Sequence, residues 1–232
     1  MLEFCLVTFD LNEIRVASAL FPINCYADNP TVAAVDLADG RTTFLVRSRE
    51  IRSAVGDEVP FYLEVLGDTC REMVEDARRI VEEVPGNTLV KIPACPEGYK
   101  AIAVLKAEGI RTSCTAIYTF NQAMLAALAG AEYVAVYVSR LDRNGSNGIE
   151  CVRRIKEAFL AHDIRCNVSA ASIKSAGEVE RAIEAGADNI ALNLELLEQM
   201  AVHPMTAETL ETFKTDWESL FGVGVRIANM VA

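Results

Sequence analysis

Residues 86–117 read GNTLVKIPACPEGYKAIAVLKAEGIRTSCTAI, and this stretch decides the fold. Leu89–Ile92 is a short apolar run with the length of a buried strand. Pro93 then ends it. Residues 97–109 follow with helical periodicity, and Gly109 stands where a left-handed helix cap is expected. Thr112–Ile117 is a second β-rich run. The unit is strand, helix, strand, and the same alternation extends in both directions. Strands are expected at Phe4–Thr8, Asn24–Ala27, Phe61–Val65, Leu89–Ile92, Thr112–Ile117, Tyr133–Val138, Arg165–Ala170 and Asn189–Leu192. Helices are expected over 70–84, 97–109, 120–131, 147–162 and 175–187, with Gly130 and Gly186 placed like Gly109. In the first of these helices Met73, Ala77, Ile80, Val81 and Val84 keep the spacing of one buried face.

Most of the strands are apolar on both faces, which points to a parallel sheet covered by helices. Eight such units in 232 residues favour a single (β/α)8 TIM barrel; an open doubly wound sheet shares the alternation. A surplus helix is expected over 206–221, and the ending GVGVRIANMVA is too apolar for a free tail. The reading is therefore one domain, 1–232, whose segment 206–232 packs on a neighbouring subunit.

Bulk composition removes several classes of function. The formal net charge is -11, so no basic surplus exists to bind a phosphate backbone, and no nucleic acid partner is expected. The start, MLEFCLVTFDLNE, has acidic residues and no basic n-region, which argues against a signal peptide. No run approaches the roughly 18 apolar residues of a membrane span, so no membrane association is expected. The seven cysteines are odd in number, none has CxxC spacing, and only His162 and His203 could serve as imidazole ligands. They read as reduced thiols of a cytoplasmic protein with no metal site.

In a barrel of this type the active site forms at the C-terminal ends of the strands. Asn29, Glu64, Lys91, Thr115, Tyr137 with Arg140, and Ser172 with Lys174 occupy such ends. Burying an ammonium costs free energy unless it is paired or neutralised. Lys91 is thus either an amine whose pKa desolvation depresses, ready to attack a carbonyl, or a lysine whose stem packs while its head reaches water. Glu64 is equally an acid or base and an ion-pair partner for Lys91. Tyr137 suits a core position as well as the barrel mouth. Arg140, Ser172 and Lys174 are able to bind a phosphate, and each also suits a solvated loop. The segment NGSNG at 144–148 is a loop signal, and GVGVRI lacks the third glycine of a dinucleotide site.

Taken in order, LVKIPACPEGYKAIAVLKAEGI, TAIYTFNQAMLAALAGAEYVAVYVSRLD, SAASIKS and HPMT with FKTDWESLFG, preceded by DNPTVAA at 28–34, closely resemble the small transaldolase family that includes bacterial fructose-6-phosphate aldolases. The resemblance is strongest over residues 87–222. It implies a class I aldolase barrel with Lys91 as the Schiff-base lysine, Thr115 holding a water, and Asn29 bonding a donor hydroxyl. Arg140, Ser172 and Lys174 match the positions that bind an acceptor phosphate. By the same resemblance the enzyme needs no cofactor, takes a sugar or sugar-phosphate substrate, and assembles as a pentamer or decamer through its C-terminal helix.

Two departures stand out. The family's first strand usually ends in an aspartate, where this chain has Val7. Asp10, three residues on, reads as a helix N-terminal residue instead. Transaldolases tend to combine glutamate on the third strand with phenylalanine on the sixth, and the aldolases glutamine with tyrosine; Glu64 and Tyr137 take one from each. Asp28 stands where relatives commonly have threonine and is expected to restore a negative charge at the cavity mouth.

Overall fold

In the computed structural model, which describes residues 2–230, eight parallel strands close into a barrel in sequential order. They are β1 (Glu3–Val7), β2 (Cys25–Ala27), β3 (Phe61–Glu64), β4 (Thr88–Pro93), β5 (Thr112–Ile117), β6 (Tyr133–Tyr137), β7 (Asn167–Ala171) and β8 (Asn189–Leu192). Pairing of Phe4 with Ile190 and of Leu6 with Leu192 closes the ring between β1 and β8. The chain is therefore the (β/α)8 barrel of the sequence reading, with a C-terminal helix added. Strand ends depart from expectation by one or two residues; Val138 opens a helix and does not extend β6.

The helices are α1 (Leu11–Leu20), α2 (Pro30–Asp36), α3 (Phe44–Val55), α4 (Cys70–Glu83), α5 (Pro96–Ala107) and α6 (Phe120–Ala129). After them come α7 (Val138–Arg143), α8 (Gly148–Ala161), α9 (Ala176–Glu184), α10 (Leu194–Ala201) and α11 (Pro204–Phe221). Their starts are written locally. Thr69 and Thr119 each form a reciprocal capping box, with Glu72 and Gln122 respectively. Asp10 caps α1 by accepting from the Asn12 amide, the role its position suggested.

The periodicity did not disclose α3. Its buried face carries Ser48, Ile51 and Arg52, two of which count as polar in any pattern. Arg52 reaches the barrel's N-terminal end, where Nη1 donates to the carbonyls of Gly56 and Val59 and Nη2 to Thr88 Oγ1. With these acceptors the buried guanidinium is tolerated.

The described residues fall into two compact units divided between Leu196 and Leu197. The first holds the whole barrel. In the second, α11 buries none of its residues, and the Trp217 indole donates to the Val225 carbonyl at 2.8 Å. Among the described residues no helix is long and apolar enough to cross a membrane.

The strand that carries Lys91 is held at its end by α5. Cys95 caps that helix, and a Cβ added at Gly98 would lie 2.1 Å from the Pro93 carbonyl oxygen. No side chain fits such a gap without moving backbone. Gly98→Ala is expected to destabilise the protein by about 1–3 kcal/mol through overpacking, measurable by denaturant unfolding; an unchanged midpoint would show that β4 and α5 separate freely.

Candidate active site

A cavity of about 280 Å³ opens inside the barrel, and Lys91 lines it together with Asn29, Thr115, Tyr137, Arg140, Ser172 and Lys174. Seven of the eight residues nominated from strand ends thus share one space. Glu64, the eighth, does not line that cavity but sits against Lys91, with which it pairs in register across β3 and β4. Small inward side chains, Ala27, Ala135, Ala171 and Ala191 among them, leave the room. In most barrels larger branched residues fill these layers.

Lys91 is almost fully buried. Its Nζ lies 2.8 Å from Glu64 Oε2 and donates to the backbone carbonyl of Asp28. Burial by itself drives the amine's pKa down, but the charges of Glu64 and Asp28 outweigh it, and the ammonium is held above its ordinary value. Of the two readings the sequence left open for Lys91, the depressed amine does not describe this resting state. The ion pair with Glu64, one of the two roles read for that residue, acts here together with Asp28, since an opposite charge at close range offsets desolvation.

Asp28 also sits elsewhere than expected. Strand residues alternate between faces, so Ala27 and Asn29 line the main cavity while Asp28 turns away from it. It is 1% exposed and borders a second, largely apolar cavity between the strands and the surrounding helices. Its Oδ1 accepts from the Glu64 amide at 2.9 Å. Burial, reinforced by Glu64 and opposed by Lys91, pushes its pKa up to about 7. The alternation carried this placement all along.

Thr115 and Tyr137 share a hydrogen bond of 3.1 Å between their hydroxyls. Directly after Thr115, Ala116 takes a left-handed φ of 57°, and the pairing of β5 with β6 gains one residue between Cys114 and Ile117. A bulge at this point ends regular pairing beside the cavity. Arg140 stacks over the Tyr137 ring at 4.7 Å and donates to the Tyr118 hydroxyl at 3.3 Å. Sequence reasoning passed over Tyr118, although it too follows a strand end. Ser172 has a φ of 60°, a conformation that costs a non-glycine residue on the order of 1–3 kcal/mol and is retained where surroundings impose it. It follows β7 directly and faces the same cavity.

Asn29 caps α2, its Oδ1 accepting from the amides of Thr31 and Val32, which leaves its amide group as the donor it offers the cavity. Deeper in the barrel lie polar residues that no strand-end argument selects: Ser113, Ser169 and Asn189 line the cavity, and Ser169 Oγ donates to Asn189 Oδ1 at 2.8 Å. Val7 also lines it in register with Ala27, so β1 brings no ionisable group to the upper layer. Among the described residues no group of three or more His, Cys, Asp or Glu is arranged to hold a metal ion.

The raised Asp28 pKa has a consequence for stability. An unfolded chain releases this proton near 3.8, whereas the folded one keeps it to about 7. Stability contributed by the proton is complete below the unfolded value and lost as pH rises through the folded one. Asp28→Asn keeps the Oδ1 acceptor and removes the titration. The variant's advantage in unfolding free energy is expected to be smallest below about pH 4 and to grow to a few kcal/mol above about pH 7. A difference independent of pH, measured by denaturant unfolding, would contradict the assignment.

The comparisons with known proteins agree with this geometry. Residues 7–232 match the family described as Transaldolase/Fructose-6-phosphate aldolase. A protein of Brachyspira hyodysenteriae named "Probable transaldolase" is 35% identical over 221 residues, which cover 95% of this chain and 100% of that protein. A barrel of eight sequential strands, an inward lysine on the fourth and a match over nearly the whole length lead to one conclusion: the chain belongs to the transaldolase/fructose-6-phosphate aldolase family of enzymes.

Proposed function

We propose that the protein is a class I aldolase in which Lys91 forms an imine with a dihydroxyacetone-like ketone and an aldehyde phosphate serves as partner. The observation that carries the reading is a buried lysine beside a carboxylate, facing a cavity with room for a small sugar. Glu64 accepts a proton from the ammonium, and the freed lone pair attacks the carbonyl carbon. The carbonyl π pair moves to oxygen, and one nitrogen proton follows it to give a carbinolamine. Glu64 then returns its proton to that hydroxyl, which leaves as water while the nitrogen lone pair closes the iminium. One ketone and one ammonium give one iminium and one water.

The iminium withdraws electrons from the neighbouring carbon and permits the carbon–carbon bond to break or form. Tyr137, joined to Thr115, is placed to move a proton to or from the aldehyde oxygen through a water. Such a general acid–base contribution is worth about 10²–10⁴ in rate. Asn29 offers amide donors to the ketone, and Arg140, Ser172 and Lys174 stand on the opposite side of β1 around the ring, where an anionic acceptor fits.

Retention of Tyr137 favours release or capture of free dihydroxyacetone. Transfer of the three-carbon unit between sugar phosphates is a second reading, favoured by Glu64 and by the name of the Brachyspira relative. The exposed Met205, Leu210, Phe213 and Leu220 of the α11 region support assembly into a homo-oligomer, since such apolar surface is usually an interface.

Incubation with fructose 6-phosphate and borohydride is expected to leave a reduced three-carbon adduct at Lys91, located by peptide mass spectrometry and lost in Lys91→Met. A wild-type protein that acquires none is no Schiff-base enzyme. Liberation of dihydroxyacetone without an added acceptor marks the aldolase, and turnover that demands erythrose 4-phosphate marks the transferase.

A further inference from the structure

The Schiff-base reading leaves one buried group unused. Lys91 carries one positive charge, and two carboxylates stand beside it, Asp28 buried and Glu64 partly so. Fully ionised, the three groups would hold an unbalanced negative charge away from water, which is expensive. Asp28 Oδ2 is buried with no hydrogen-bond partner, while Glu64 Oε2 has the Lys91 ammonium 2.8 Å away. A proton on Asp28 would remove one of the two negative charges and leave Glu64 to face the ammonium. The Asp28 side chain is tied to the β3 backbone, its Oδ1 accepting from the Glu64 main-chain amide.

Among the described residues no second cation pairs with the cluster; Arg140 acts on Glu64 through its charge while bound to Tyr118 and stacked on Tyr137. From β4 comes Lys91 and from β3 Glu64, while β1 presents Val7, in register with Ala27. Across the second cavity α2 and α3 offer apolar side chains such as Ala33, Leu37 and Phe44, and α4 offers Asp76 and Arg79. Asp76 is occupied by the amides of Leu66 and Gly67, and Arg79 by Glu82 and Glu83.

We infer that Asp28 and Glu64 hold one proton between them, kept on Asp28, so that Glu64 is the single carboxylate facing Lys91 and is free to take its proton when a ketone binds. This inference rests on the Schiff-base reading. Asp28 touches neither the main cavity nor the substrate; it is a positioning residue that acts through the charge of its neighbours. While Asp28 is neutral, moving the Lys91 proton onto Glu64 separates no charge from an adjacent anion. Once Asp28 ionises, its charge holds the ammonium more firmly, and imine formation slows. The direction fits a carboxyl whose pKa lies near 7 and a lysine whose pKa the charge of Asp28, when ionised, helps to raise.

The test compares wild type, Asp28→Asn and Asp28→Thr in the full chain, each checked for folding by thermal unfolding at about pH 6. Initial rates of cyanoborohydride trapping of dihydroxyacetone at Lys91 are followed from about pH 5 to about pH 9. The rate ratio of Asp28→Asn to wild type is expected to stay near one at the acid end and to rise through about pH 7 to roughly tenfold, the effect of one unit in the Lys91 pKa. Asp28→Thr, equally neutral, is expected to follow the same curve. A ratio constant with pH assigns Asp28 a structural role only and overturns the inference. A ratio that falls with pH shows Asp28 working ionised and overturns it as well. Absence of any Lys91 adduct in wild type strikes the Schiff-base reading itself. The ¹³C resonance of the Asp28 carboxyl in the ligand-free protein then decides the shared proton alone, by titrating near neutrality or by failing to.

Discussion

A lysine ammonium clamped between the Glu64 carboxylate and the Asp28 backbone carbonyl is the interaction on which the rest of the site depends. An unpaired charge in this position would cost several kcal/mol. The clamp makes the lysine tolerable on an otherwise apolar strand and sets the terms of its chemistry. The amine is not simply neutralised by burial. It is held as an ammonium next to a carboxylate, and in the mechanism we propose the nucleophile appears when proton transfer to Glu64 and carbonyl binding coincide.

The barrel supplies what the clamp needs. Parallel pairing sets Glu64 opposite Lys91 and Thr115 opposite Pro93, which ranks the polar side chains along one rim. Small residues on β2, β6, β7 and β8 keep the space above them open. The rim is also where the backbone is least regular: Ala116 and Ser172 both adopt left-handed φ values. Local strain at two strand ends is accepted because helices and neighbouring strands hold them from outside.

Much of this was legible in the residues. The strands emerged within one or two positions because each is a short β-rich run set off from the helical segments around it, and the convergence of polar groups followed from the rule that strand ends build the site. What escaped has physical reasons. Helix α3 hides its buried face behind Ser48 and Arg52, which are satisfied by the carbonyls of Phe44, Gly56 and Val59 and, across the barrel end, by Thr88 Oγ1. Glu64 was read as an ion-pair partner of Lys91 as readily as an acid or base, but the second carboxylate that bears on the charge of Lys91, Asp28, comes close only in three dimensions. Asp28 was noticed, but its side was misjudged, although the alternation through Ala27 and Asn29 already turned it away from the cavity. Ser113, Ser169 and Asn189 lie below the rim, where barrels usually place aliphatic side chains, and nothing in their spacing sets them apart.

The central claim is that Lys91 rests as an ammonium held by carboxylates and not as a free amine. Selective ¹⁵N NMR of its ζ nitrogen through a pH titration of the ligand-free protein tests this directly. The account predicts that the resonance remains that of an ammonium beyond the ordinary lysine value of 10.5. A lysine that turns neutral below that value would contradict it and return the site to nucleophile activation by desolvation alone.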